Sequence, residues 1–174
     1  MDFGFLNTAF ELIDLRSFSN LWFWIALAVL WSTAAHWVIG VPFDLINRAR
    51  AGHAEAAQDV VLLVGVYSRR MIYIAEASGL WITGFVAFGL TALATAGFAY
   101  RVEFCQALFL LGLPLTLVGA MSLQTARAIQ GLSTDALLQT LRRHRVKVQV
   151  VGMISIFVTS LWGMWTNMQI NVLG

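Results

Sequence analysis

The chain has 174 residues, of which 59% are apolar and only 11% charged, with a formal net charge of +2. So few charges cannot cover a soluble globule of this size, disorder needs low hydrophobicity with high net charge, and one Cys closes no disulfide framework. What remains is an all-α integral membrane protein.

At the N-terminus, Leu6, Phe10, Ile13 and Ser17 share a helical face, and Asn7 is placed to cap it. Residues 2–19 therefore read as a short interfacial helix on the outer surface, or as extra turns of the first span. Met1-Asp2-Phe3 offers no basic start, so the N-terminus is not read as a cleavable signal.

Four charge-free stretches follow, and each can cross the roughly 30 Å of bilayer hydrocarbon. The expected spans are Leu21–Val41, Leu80–Ala99, Gln106–Gln124 and Val150–Met168. The segments at about 44–78 and 127–147 hold nine of the 11 basic side chains. The positive-inside rule puts both in the cytoplasm, so both termini face the periplasm. The expected architecture is one membrane domain over residues 1–174, four transmembrane helices with N-out/C-out topology in a bacterial inner membrane. Trp31 falls mid-span and must face lipid or pack between helices.

The cytoplasmic segments read as helical extensions. Val60, Leu63, Val64, Tyr67, Met71 and Ile74 recur at helical spacing, and no Pro interrupts the run into the second span. One helix from about Ala54 to Tyr100 is expected. Its stripe needs a partner, either a neighbouring cytoplasmic helix or another protein, and Leu137, Leu138 and Leu141, after the N-cap signal Ser133-Thr134-Asp135, supply one candidate. Gly52 and Gly131 read as chain breaks.

Every span offers a small or weakly polar face, the means by which helices associate in lipid. The expected packing residues are Ser32 and Gly40 in the first span, Thr91 and Thr95 in the second, and Gly112 and Thr116 in the third. The fourth has the clearest stripe: Gly152, Ser155, Thr159, Gly163 and Asn167. Pro114 should kink the third span.

His36 is the one His inside an expected span, and an intramembrane ionisable group is a functional hypothesis by default. With Ser32 one turn before it, it could ligate haem or bacteriochlorophyll. The alternative is a His hydrogen-bonded to a neighbouring helix, with no cofactor. Arg101 and Glu103 read as a surface pair. Arg142, Arg143, Arg145 and Lys147 suit anionic lipid headgroups, or act only as the topology signal. No catalytic or metal-binding set stands out, and no nucleic-acid site is supported. No span holds Asp, Glu, Lys or Arg, which argues against ion-coupled transport and carboxylate-dyad hydrolysis.

The stretch from Glu11 through Asp44, with Ser32-Thr-Ala-Ala-His-Trp-Val-Ile-Gly-Val-Pro-Phe-Asp44, and the stretch Tyr73-Ile-Ala-Glu-Ala-Ser-Gly-Leu-Trp81 resemble a family of small alphaproteobacterial inner-membrane proteins. Members are often described as components of an iron–sulfur cluster assembly complex. Cluster assembly needs several thiolates, and this chain has only Cys105, so the resemblance implies a membrane tether rather than a cluster scaffold. The expected function is a non-enzymatic accessory, scaffold or assembly subunit of a respiratory or photosynthetic membrane complex. Its partners would be membrane lipids and other integral membrane proteins, or further copies of itself.

Overall fold

The computed structural model describes residues 17–172, with the side chains of residues 18–169. The expected interfacial helix therefore lies outside the described residues, except for a 3-10 turn at Ser17–Ser19. Helix α1 spans Leu21–His36, and the Asn20 side chain caps it by accepting from the Trp22 amide at 3.0 Å.

α1 is shorter than the expected first span. It stops at His36, and Trp37–Val38 (β1) pairs antiparallel with Val41–Pro42 (β2). Ile39 and Gly40 form the two-residue turn, with φ of 49° and 76°. Two positive φ values are what a tight hairpin needs, and they cannot continue a helix. Gly40 is required there for a second reason: a Cβ would stand 2.7 Å from the Tyr67 ring. Gly40 therefore packs, but at a hairpin rather than between spans.

Helix α2 (Phe43–Arg50) buries Ile46 and Ala49. Gly52, at φ 94°, turns the chain into α3 (Ala54–Ala94), which a π-helical turn at Thr95–Ala99 extends. This is the single long helix that the uninterrupted pattern predicts. Helix α4 (Glu103–Ala128) runs unbroken through Pro114. Gly131, at φ 76°, precedes α5 (Thr134–Val172). Among the described residues three helices (α3 with its π turn, α4 and α5) are long and apolar enough to cross a membrane, and α1 is a shorter apolar helix of 16 residues.

The main core lies at the basic end of the molecule and takes in the last residues of the first apolar stretch. It joins Val38, Ile39 and Val41 of the hairpin, Ile46 of α2, Val60 and Val64 of α3, Ile129, and Leu137, Leu138 and Leu141 of α5. The expected partner for the α3 stripe is therefore the observed one. The stripe is narrower than expected. Ala56, Val60, Val64 and Ser68, four apart, are buried, whereas Leu63, Tyr67 and Ile74 remain exposed. Burying each Val or Leu stabilises by about 1.5–3 kcal/mol relative to exposure, so this end fixes the geometry of the helices leaving it.

Those helices form an open array rather than a bundle closed on all sides. α3 packs on α4, α4 on α5, and α1 on α5. Four residues of the fourth-span stripe are buried, Gly152 under Trp31, Gly163 under Phe18, and Ser155 and Thr159 between them, while Asn167 is half-buried. Trp31 thus packs between helices.

Candidate functional site

The ring expected to matter, His36, is exposed at the last residue of α1. It meets Trp37 edge-on at 6.0 Å, with Ser32 also exposed one turn before it. Among the described residues no group of three His, Cys, Asp or Glu could hold a metal ion. The buried histidine is His144, 3% exposed, in the charged first part of α5 and outside the apolar stretch that begins at Val148.

α5 presents Leu137, Leu141, His144 and Val148 along one buried stripe, which continues into Gly152, Ser155 and Thr159. His144 thereby faces the end of α4. Its Nε2 lies 3.2 Å from Ser122 Oγ and its Nδ1 3.0 Å from Thr125 Oγ1. Each hydroxyl also donates to its own helix at 2.8 Å, Ser122 to Val118 O and Thr125 to Met121 O.

A hydroxyl has one hydrogen. With both committed to backbone carbonyls, each ring nitrogen faces a lone pair, and only a doubly protonated imidazole would satisfy both. Burial opposes that charge and Lys147, one turn on, repels it, so the pKa of His144 is lowered from 6.5. The neutral ring fits if Thr125 accepts from Nδ1–H over the shorter contact and Ser122 turns its hydrogen from Val118 O to Nε2. The site therefore has two protonation states that differ in one hydroxyl rotation.

Arg145 works on the other side of the same turn. Its Nε donates to Ala35 O at 3.1 Å, near the α1 C-terminus, where free carbonyls and the helix dipole favour a cation. Its guanidinium sits 3.5 Å above the Phe43 ring centroid. Arg145 is thus held by the fold and is not a free headgroup ligand, whereas Arg142, Arg143 and Lys147 are exposed. Together, His144 and Arg145 bind α5 to α4 on one side and to α1 and α2 on the other.

A second junction closes the opposite end. Gln106 is buried, donates to Gly97 O at 2.8 Å and accepts from Trp162 Nε1 at 2.9 Å. Glu103 accepts from the Phe18 amide at 2.7 Å, so its carboxylate serves the fold instead of the surface pair expected with Arg101. Ser19 donates to Asn167 Oδ1 at 2.8 Å.

The remaining expected packing residues divide. Gly112 makes ordinary contact with Leu90 at 3.5 Å from its would-be Cβ. Thr116 is half-buried and donates to Leu113 O at 2.7 Å. Thr91 and Thr95 do not pack: they are exposed and fold their hydroxyls onto Ala87 O and Thr91 O, both at 2.8 Å.

The sequence pattern alone does not single out His144, because it sits within the basic run 142–147. The signal that points to it is the fourth-span stripe, which stepped back from Gly152 in fours arrives at Val148 and His144. Comparison with known protein families, with curated proteins and with solved structures finds no match to this chain.

Proposed function

We propose that this chain is a four-span protein of a bacterial inner membrane with both termini outside, and that it serves as a non-enzymatic accessory subunit of a larger membrane assembly. The four-span part is supported by the course of α1 along α5. Ser19 meets Asn167 at one end, and Ala35 meets Arg145 at the other. α1 thus runs antiparallel beside the apolar stretch of α5, which supports the reading that the two share one slab of membrane. At about 1.5 Å per residue its 16 residues cover ~24 Å, and the flanking turns extend it.

The observation that carries the accessory role is the outer face of α3. Tyr73, Leu80, Trp81 and Phe88 are between 71% and 87% exposed, and Gly84 between them has open space. A well-packed core holds one end of α3, and its apolar half projects this aromatic and small-residue face. Helices in lipid associate through such faces.

The test places a photo-crosslinking side chain at Leu80 or Phe88 in native membranes. The expected product is a discrete adduct with another integral membrane polypeptide. Lipid adducts alone would contradict the proposal.

A further inference from the structure

The seam between α1 and α5 encloses polar groups that its packing leaves unpaired. Among the described residues, three buried side-chain polar atoms have no hydrogen-bond partner: Trp31 Nε1, Ser155 Oγ and Thr159 Oγ1. All three belong to this seam, one on α1 and two on α5. Trp31 is 5% exposed, Ser155 6% and Thr159 1%.

Hydroxyls elsewhere in the molecule behave differently. On α3, on α4 and on α5 itself, Thr91, Thr125 and Thr166 donate to the carbonyl four residues back, at 2.8–2.9 Å. That bond needs no neighbouring element. Ser155 and Thr159 do not make it, so their oxygens are turned from their own backbone. Thr159 lies between Gly152 and Gly163, the positions that Trp31 and Phe18 cover, and so sits on the face turned to α1. Besides Trp31, the buried side chain of α1 is Leu27, which has no polar atom to offer.

Spacing and enclosure select what pairs them. Residues four apart on a helix have Cβ atoms about 5–6 Å apart. A direct O–H···O bond covers only about 2.7–2.8 Å, whereas one water between two hydroxyls covers twice that. A larger ligand has no room, because the three side chains are almost wholly enclosed and Trp31 stands 2.8 Å from where a Gly152 Cβ would lie. The ligand must also accept and donate: the indole N–H only donates, and each hydroxyl does either. Trp31 covers Gly152, which is about 4.5 Å in helical rise from Ser155. A buried water makes about three hydrogen bonds to such groups, and three are present.

We propose that the α1–α5 seam binds an ordered water that bridges Ser155 Oγ and Thr159 Oγ1 and accepts from Trp31 Nε1. The water joins α1 to α5 between the direct bonds at Ser19–Asn167 and Ala35–Arg145.

Crystals of the full chain grown from a lipid mesophase, diffracting far enough to resolve ordered water, test this directly. The expected density is an isolated peak within hydrogen-bond reach of both oxygens and of Trp31 Nε1. A seam without a peak bridging the two oxygens, or one in which they donate to Val151 O and Ser155 O, overturns the proposal.

Thermal unfolding in mild detergent tests it independently. Ser155→Ala and Thr159→Val each release the shared water and strand the remaining groups, so each is expected to lower the melting temperature by about 2–4 °C. The double variant is expected to lose no more than the larger single change, because both act through one water. Thr159→Val keeps the shape of the side chain and removes only the hydroxyl. A higher melting temperature for that variant overturns the proposal, as do single losses that add in the double variant.

Discussion

Substituting Gly152 tests the α1–α5 seam with an internal control. A Cβ at Gly152 would lie 2.8 Å from Trp31 Cε3 and 3.2 Å from Cδ2. Carbon atoms sit comfortably at about 3.5–4.0 Å, so the indole must shift by about 0.7 Å. Trp31 is itself only 5% exposed, and its neighbours leave it little room. Overpacking of this kind costs about 1–3 kcal/mol. The same change relieves the glycine helix penalty of up to about 1 kcal/mol. Gly119→Ala carries the same relief with no neighbour within 4 Å of the new Cβ. The difference between the two variants thus isolates the packing cost. At about 2–4 °C per kcal/mol for a chain of this size, Gly152→Ala should melt roughly 2–12 °C below Gly119→Ala. Thermal unfolding in mild detergent, followed by tryptophan fluorescence, reads this directly, and Trp31→Phe should recover part of the loss. Equal melting temperatures for the two alanine variants would refute the close approach of α1 to α5.

Other outcomes follow from the two junctions. Arg145→Gln loses a charge-assisted hydrogen bond to Ala35 O and the contact with Phe43, and should destabilise by about 2 kcal/mol in denaturant titration; Arg145→Lys should recover only part. Gly97→Ala puts a Cβ 2.9 Å from the Gln106 backbone nitrogen; backbone cannot swing aside, so the melting temperature should fall by more than for Gly152→Ala. The lowered pKa of His144 means that the unfolded chain binds its proton at higher pH than the native one. Its contribution is therefore intact above about 6.5 and lost as pH falls below that value. A stability profile from pH 8 to 5 should decline on the acid side in the wild type and flatten in His144→Gln.

The sequence was most informative where local chemistry decides the backbone. The breaks at Gly52 and Gly131, the start of α5 after Ser133, and the uninterrupted course of α3 were all legible, because capping, left-handed turns and the absence of Pro act within a few residues. The stripe Gly152–Gly163 was legible because small residues three or four apart cut a shallow channel along an apolar helix, and a neighbouring helix fills it. Thr91 and Thr95 show the limit of that rule. A hydroxyl can satisfy itself on its own helix, so small polar residues mark a face without requiring a neighbour. The early end of α1 was missed because Val38, Ile39 and Val41 suit a span and a hairpin core equally. Only their contacts with Ile46, Val60 and Leu141, distant in sequence, decide between the two. His144 and Arg145 were hidden for the opposite reason. In a run of basic residues charge dominates the reading, and alternation around the helix gives neighbouring residues opposite tasks.

The four-span topology is the central claim, and sided cysteine labelling tests it most directly. In a Cys105→Ser background, Ser19→Cys and Gln139→Cys are placed one at a time and exposed in intact cells to a membrane-impermeant maleimide. Ser19 lies beyond the N-terminal end of α1, and Gln139 lies at the basic end of α5; both are exposed. The account predicts that Ser19→Cys labels in intact cells and that Gln139→Cys labels only after permeabilisation. Labelling of both positions from the same side would mean that α1 does not cross the membrane, and would contradict it.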